Sequence, residues 1–147
     1  MIDLRMKLSP NFRLAEFVES ETAKQMGITN LPNETELENL RFTAIQMEIV
    51  RVICGNRIIT ATSGFRCALL NEAVEGSNSS DHRLGFALDG KIAGLTGVEI
   101  IRTIKNSPLK FDQLIDYGTN RVHFGFGPRM RRQLLKKTSS GYAPLVV

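Results

Sequence analysis

The chain has 147 residues, of which 42% are apolar, with a formal net charge of +4 and a pI of about 9.3. This length leaves room for one domain with a hydrophobic core and little room for a second, so we expect a single domain over residues 1–147. No apolar run approaches the length of a transmembrane helix and no N-terminal segment resembles a secretory signal, which excludes a membrane span and leads us to expect synthesis in the cytoplasm.

The first third of the chain predicts three helices. Two short ones are expected over residues 14–18 and 21–26. Asn33 offers an N-cap for a longer helix that ends near Cys54 and carries an apolar stripe, which we expect to pack along a sheet. The stripe consists of Leu37, Leu40, Ala44, Met47 or Glu48, and Val52.

The remainder predicts strands alternating with short helices. A β-branched segment at 57–62 indicates a strand, and a short helix is expected over 67–74. A polar loop then leads to a second strand at 86–92. A capped helix over 97–105 precedes a hairpin over 111–126, which we expect to turn at Gly118 and Thr119.

Two histidines and one aspartate form a candidate metal site. His82 follows the polar loop, Asp89 comes seven residues later, and His123 is the only other histidine. Two imidazoles and a carboxylate are ligands that Zn²⁺ accepts, and three of them leave a fourth position open. A spacing of seven suits neither one face of a strand nor adjacent turns of a zinc-binding helix, so it predicts a loop followed by a strand. The alternative is that each histidine is an ordinary surface or core residue.

The segment from Ser80 to Asp89 resembles the Ser-x-His-x-x-Gly-x-Ala-x-Asp signature of a zinc peptidase family. That family contains D-alanyl-D-alanine carboxypeptidases and L-alanyl-D-glutamate endopeptidases, and Val122-His123 is similar to its Trp-Val-His ligand strand. The resemblance covers about residues 8–126, especially to the phage and prophage branch, and leaves 127–147 as a basic extension. Further matching segments are 8–17, 63–66, Asn71 and 111–115.

The resemblance implies an α+β fold of the Hedgehog/DD-peptidase-like kind. A small, mainly antiparallel sheet is expected, with helices mostly on one side and the metal at its open face. The implied activity is zinc-dependent hydrolysis of an amide bond next to a D-amino acid in bacterial peptidoglycan, by a monomer acting on a wall peptide. The resemblance leaves open which bond is cut. It also implies that the enzyme reaches the cell wall by phage-mediated release or as part of a virion.

The resemblance also implies roles for two polar residues near the metal. Arg66 matches the arginine of the family's Ser-Gly-Tyr-Arg motif and is expected to face the substrate carbonyl or carboxylate, with a structural ion pair as the alternative. Ser80 matches a position that supports His82 or the substrate through hydrogen bonds.

A metallopeptidase also needs a carboxylate that accepts a proton from the attacking water. A hairpin turn centred on residues 118 and 119 would pair Asp116 with Arg121 and place Asp112, Asp116 and His123 on one face. We therefore predict Asp116 as the first candidate and Asp112 as the second. A salt bridge between Asp116 and Arg121 is the alternative role for Asp116.

Two positions depart from the family pattern. Asn120 stands three residues before the second histidine, where a family member often has an acid, and Arg121 stands where tryptophan is common. Because Asn120 cannot accept a proton, a second hypothesis remains open. In it the chain is a virion or tail component of the same fold that binds zinc or wall peptide without turnover.

The C-terminal segment is strongly basic. A solvated helix or strand end is the favoured interpretation of this charge over a dedicated binding patch, and no nucleic-acid-binding motif accompanies it. A nucleic-acid partner is therefore not expected. Residues 138–147 are expected to form a tail or an edge strand. The basic residues are Arg129, Arg131, Arg132, Lys136 and Lys137.

Overall fold

The computed structural model describes residues 2–147, which form a mixed fold of helices and sheet. The strands are β1 Lys7–Ser9, β2 Phe12–Arg13, β3 Ile59–Ser63, β4 Ala87–Ile92, β5 Gln113–Asp116, β6 Val122–Gly125, β7 Gln133–Thr138 and β8 Gly141–Pro144. The helices are α1 Leu14–Val18, α2 Glu21–Met26, α3 Glu34–Ile53, α4 Ala68–Ala73, α5 Asp81–Leu84 and α6 Gly97–Lys105.

Six strands form the main sheet in the order β3-β4-β6-β5-β7-β8. Every neighbouring pair is antiparallel except β5 and β7, which run parallel. The α+β prediction with a mainly antiparallel sheet is therefore confirmed. The basic C-terminal segment supplies β7 and β8, so of the two predictions for residues 138–147 the edge strand is correct.

The core lies against the face of the sheet that carries Leu88, Leu114, Val122 and Phe124, all of them fully buried. Successive side chains of a strand point to opposite faces, so residues next to these in sequence project from the other face. Helix α6 packs on this core side against β5 and β6. Within residues 2–147, no helix is long and apolar enough to cross a bilayer.

Helix α3 begins where its cap was predicted. The Asn33 side chain accepts a hydrogen bond from the Glu36 backbone N–H, and the Glu36 carboxylate accepts one from the Asn33 N–H, which forms a capping box. The predicted stripe is wrong at its last position, because Val52 is 61% exposed and Val50 is buried instead. The spacing of three and four residues continues from Met47 to Val50, whereas Val52 lies on another face.

Two local elements differ from the sequence prediction. The hairpin of β1 and β2 was not predicted, and its strands are only three and two residues long. His82 lies on the single helical turn α5 and not at the end of a loop. The Ser80 hydroxyl starts this turn by accepting a hydrogen bond from the His82 N–H, and Gly85 ends it with φ of 88°.

The predicted hairpin of β5 and β6 exists, but its predicted register is wrong by one residue. Ile115 pairs with His123 and Asp116 with Val122, so Asp116 does not pair with Arg121. The Tyr117 N–H donates to the Arg121 carbonyl, which leaves a loop of three residues in place of two. Gly118 and Asn120 both adopt positive φ, at 81° and 61°, and the additional left-handed residue accounts for the shift.

Candidate metal centre

The three predicted metal ligands converge on the face of the sheet opposite the core. Asp89 of β4 and His123 of β6 are direct cross-strand partners, and α5 places His82 beside them. His82 Nε2 lies 3.2 Å from Asp89 Oδ1 and 3.2 Å from His123 Nδ1, and the last two atoms are 2.9 Å apart. All three residues are buried, and they form a group that could hold a metal ion.

A backbone carbonyl fixes the orientation of His82. Its Nδ1–H donates to the Gly64 carbonyl at 2.7 Å, so the unprotonated Nε2 faces Asp89 and His123. The Gly64 backbone lies so close to Phe17 that an added Cβ would be 2.4 Å from the Phe17 carbonyl oxygen. Only glycine permits this approach, which places the carbonyl within reach of the imidazole.

The electrostatics of the group favour the protonation states that bind a metal. Burial lowers the pKa of His82 and keeps the ring neutral. Burial opposes ionisation of Asp89, but the two histidines outweigh it and hold the pKa of that carboxyl far below its usual range. A neutral imidazole and an ionised carboxylate are the forms in which these residues are ligands.

An open cleft crosses the group. One cavity of about 850 Å³ is bordered by Asp89, and a second of about 760 Å³ is bordered by His82 and His123. Arg66, Val74 and Tyr117 line both cavities, so the two adjoin, and we refer to them together as the cleft. The wall of the second cavity includes three residues of the C-terminal strands. These are Leu135, Lys137 and Tyr142.

Arg66 borders both cavities, and its predicted role toward a substrate stays a prediction. Its Nη1 donates to Asn71 Oδ1 at 3.2 Å, and its buried Nε has no hydrogen-bond partner among the described residues. Asn71 also donates to the Ser77 carbonyl at 3.0 Å, which ties the arginine to the loop that precedes α5. Ser80 lines the second cavity and supports His82 through the backbone hydrogen bond described above.

Asp116 lies on the core face of the sheet, because it pairs with Val122 and not with Arg121. Its Oδ1 accepts a hydrogen bond from the Gly118 N–H at 2.9 Å and lies against Gly97, at the start of α6. The prediction that Asp116 shares a face with His123 is therefore wrong. The alternative salt bridge to Arg121 is also absent from residues 2–147, where Arg121 stacks on the Tyr117 ring at 4.5 Å.

Asp112 is fully buried and engaged by a guanidinium. Arg131 Nε and Nη2 donate to its two carboxylate oxygens at 2.8 and 3.0 Å, and the Arg131 backbone N–H donates at 3.0 Å. Burial opposes ionisation of Asp112, but these bonds hold the pKa of its carboxyl below the usual range. Asp112 borders neither cavity, and the prediction that it shares a face with His123 is wrong as well, because Gln113 pairs with Gly125.

The structure brings in a carboxylate to which the sequence prediction gave no role. Asp81 is half-buried and lines the second cavity together with His82 and His123. A Cβ on Gly125 would lie 3.0 Å from His123 Nε2 and 3.4 Å from Asp81 Oδ2, and one on Gly127 would lie 2.6 Å from Asp81 Oδ1. The sequence signal for the space that the Asp81 carboxylate occupies is the pair of glycines, Gly125 and Gly127, that follows His123 at alternate positions.

The surroundings of Asp81 disfavour its charged form. Burial raises the pKa of the Asp81 carboxyl, and repulsion from Asp112 adds to the effect. Tyr117, on the same face as His123, is another residue that sequence reasoning missed, because the misplaced register turned it away from the site. Burial and the nearby Asp89 raise its pKa, so its hydroxyl remains protonated.

The structure thus combines an α+β fold with a buried His-Asp-His group that could hold a metal ion, on the face of a mainly antiparallel sheet that borders two cavities. A family model described as Peptidase M15 matches residues 10–125. The chain therefore belongs to the Peptidase M15 family, whose members are metal-dependent peptidases. A search of curated proteins finds no match to this chain.

Proposed function

We propose that the chain is a zinc-dependent peptidase that hydrolyses an amide bond next to a D-amino acid in bacterial peptidoglycan. The observation that carries this proposal is the buried group of His82, Asp89 and His123 at the floor of an open cleft. The family supplies the peptidase class, and the resemblance of residues 80–89 to the D-alanyl peptidase signature supports the substrate. The choice between the D-alanyl-D-alanine and L-alanyl-D-glutamyl bonds stays open.

The donor set supports zinc as the metal. Ligand atoms about 2.0 to 2.1 Å from a tetrahedral zinc ion lie about 3.3 Å from one another. The three distances of 3.2, 3.2 and 2.9 Å between the candidate ligand atoms are close to this value. Two imidazoles and one carboxylate also match the composition of catalytic zinc sites. When bound, zinc polarises a carbonyl and activates water as a nucleophile.

We assign the remaining roles to residues that border the cleft. The guanidinium of Arg66 stabilises the negative charge that develops on the scissile carbonyl oxygen. The Asp81 carboxylate, which lines the cavity with both histidines, accepts the proton of the attacking water and delivers it to the leaving amine. Asp112 and Asp116, the sequence candidates for this proton, have their carboxylates engaged elsewhere.

A phage or prophage origin is part of the proposal and is supported by the segments that resemble that branch of the family. Synthesis in the cytoplasm would then be followed by phage-mediated release to the cell wall, or by delivery in a virion. The added protein is expected to lyse purified cell walls. Its expression in the cytoplasm of intact bacteria, without a means of release, is expected not to lyse those cells.

The test is metal content by elemental analysis of the purified protein, with His82→Ala as the site variant and Asp116→Asn as the matched control. About one zinc per chain is expected, lost in His82→Ala and retained in Asp116→Asn. Release of amino groups from purified peptidoglycan is expected to follow the zinc content. A protein that holds no zinc after supplementation would contradict the proposal.

One observation favours a second candidate function. Asn120 replaces an expected acid and lies at the tip of the hairpin loop, and neither Asp112 nor Asp116 borders the cleft. A protein of this fold that binds wall peptide without turnover would retain zinc and sediment with peptidoglycan while releasing no new amino groups. Those two assays together separate the candidates.

A further inference from the structure

A second arginine of the cleft, Arg121, has no anionic partner within residues 2–147. Its Nε is buried without a hydrogen bond, as is that of Arg66, and it takes part in no ion pair of the described chain. Within residues 2–147, the guanidinium contacts the Tyr117 ring by stacking and donates no side-chain hydrogen bond. A guanidinium that is partly desolvated and unpaired is costly, and an anionic ligand would remove that cost.

The strand geometry places Arg121 next to the metal group. The Tyr117 N–H donates to the Arg121 carbonyl, which continues the ladder of β5 and β6 by one further pair. Arg121 therefore lies on the same face as His123, two residues earlier, which corresponds to about 7 Å along a strand. It lines the first cavity together with Asp89 and Arg66.

The lining of the first cavity carries both signs of charge. Arg66, Arg121 and Asp89 lie close enough to Tyr117 to shift the pKa of its hydroxyl, and a further part of the lining comes from α1, α2 and the two residues between them. The glutamates of that part would repel an anionic group, so the favourable position for such a group is beside the two arginines. The charged residues of that part are Glu16, Glu19, Glu21 and Lys24.

The chemistry of the arginine defines the anion. A planar guanidinium matches the two oxygens of a carboxylate, and stacking on an aromatic ring fixes its plane in advance. The two candidate substrate bonds, D-alanyl-D-alanine and L-alanyl-D-glutamyl, have in common a carboxylate on the residue that leaves. The residue that departs with the amine is C-terminal D-alanine in one case and γ-linked D-glutamate in the other. Each carries a free α-carboxylate on the carbon that holds the leaving nitrogen.

We propose that Arg121 binds this α-carboxylate and thereby selects substrates whose leaving residue bears one. The inference rests on the proposed peptidase function and adds a specificity-determining residue to it. Arg66 remains the group that faces the scissile carbonyl oxygen, and Arg121 recognises the neighbouring charge. The side chain of Tyr117 positions Arg121 by stacking.

The test uses two matched pairs of synthetic peptides, and the members of each pair differ only in whether the leaving residue carries an α-carboxylate or an α-carboxamide. One pair ends in D-alanyl-D-alanine or in its carboxamide. The other contains L-alanyl-γ-D-glutamate or the same peptide with D-isoglutamine in place of D-glutamate. For the pair that is cleaved, wild type is expected to favour the carboxylate by about ten- to a hundredfold in kcat/KM, as charged hydrogen bonds generally provide. Arg121→Gln is expected to lose this preference by cleaving the carboxylate peptide more slowly and the amide at the wild-type rate. Arg102→Gln, an exposed arginine of α6, is the control and should retain the preference.

Each alternative result overturns a different statement. Equal cleavage of both peptides by wild type would overturn the role of Arg121 and leave the peptidase function intact. Equal loss on both peptides in Arg121→Gln would show a structural role. If neither pair is cleaved, the proposed function fails, and calorimetric titration of the same peptides then tests Arg121 alone. Tighter binding of the carboxylate in wild type but not in Arg121→Gln would support the inference, and equal binding would overturn it.

Discussion

The position of His82 depends on a residue that carries no side chain. Gly64 accepts the Nδ1–H of His82, and its backbone packs directly against Phe17 at the end of α1. The ring orientation of this candidate ligand is thus fixed by a backbone carbonyl whose position depends on a contact between two backbones. A side chain at position 64 must displace either the carbonyl or α1.

Gly64→Ala is therefore expected to weaken zinc binding by about ten- to a hundredfold, as loss of a ligand's orienting partner does. The added methyl group would also lower the free energy of unfolding by about 1 to 3 kcal/mol, because the core cannot expand freely. Competition with a chelator measures the affinity, and urea unfolding of the metal-free protein measures the stability. If Gly64→Ala changes neither the zinc affinity nor the free energy of unfolding, the backbone at position 64 accommodates a side chain and the prediction is wrong.

Asp81→Asn is expected to lower kcat on peptidoglycan by about a hundredfold or more if Asp81 transfers the proton. Zinc content should remain at one per chain, because Asp81 is not in the ligand group. Asp116→Asn serves as the control and should retain activity. Loss of zinc in Asp81→Asn would assign the residue to positioning His123, and full activity would remove it from the mechanism.

The grouping of His82, Asp89 and His123 could be predicted from sequence because their residue types and spacing carry the chemistry. The positions of Asp112 and Asp116 could not, because their prediction depended on a turn. One additional left-handed residue, Asn120, lengthens the loop and moves Asp116 to the opposite face. Side chains alternate with a period of two, so a shift of one residue reverses every assignment in the strand.

At the scale of elements, the best predictions are those with strong local signals. Helix α6 has the predicted bounds of Gly97–Lys105, and the Thr96 hydroxyl caps it by accepting the Glu99 N–H at 3.1 Å. The parallel pairing of β5 with β7 had no such signal. Asp112, which lies before β5, accepts hydrogen bonds from Arg131, which lies before β7, and so links the starts of the two strands.

Asp112→Asn is expected to destabilise the protein by about 2 kcal/mol, because Arg131 loses two charge-assisted hydrogen bonds to a buried acceptor. Arg129→Gln is the control, since Arg129 is half-exposed and its Nη2 lies 3.7 Å from Asp112 Oδ2. A change below about 1 kcal/mol is expected there. Urea unfolding of both variants at neutral pH tests the difference, and similar values would contradict a special role for the Arg131 pair.

At the scale of the whole molecule, a carboxylate joins the N-terminal hairpin to the long helix. Glu48 of α3 accepts hydrogen bonds from Ser9 Oγ and from the backbone and side chain of Asn11, each at 2.7 Å. Burial opposes its ionisation, but these bonds outweigh it and hold the pKa of Glu48 below its usual value. Because the pKa of Glu48 is lower in the folded than in the unfolded state, its ionised carboxylate stabilises the fold at pH values above the unfolded-state pKa. This contribution is lost as the pH falls through the folded-state pKa.

The stability gap between wild type and Glu48→Gln should accordingly be largest near neutral pH and shrink below a pH of about 4. Urea unfolding at several pH values between 7 and 3 measures this gap. Glu38→Gln, whose partner Arg41 is on the same helix surface, is the control and should show only a small gap throughout. A gap for Glu48→Gln that stays constant with pH would exclude the ionised carboxylate as its cause.

The C-terminal strands have a consequence for how this protein can diversify. The metal group lies within residues 10–125, which match the family, whereas Leu135, Lys137 and Tyr142 of the cleft wall lie beyond that match. The candidate metal group and part of the cavity wall are thus encoded in separate, consecutive stretches of the gene. Exchange of the last stretch by recombination would change the wall of the cavity without altering His82, Asp89 or His123.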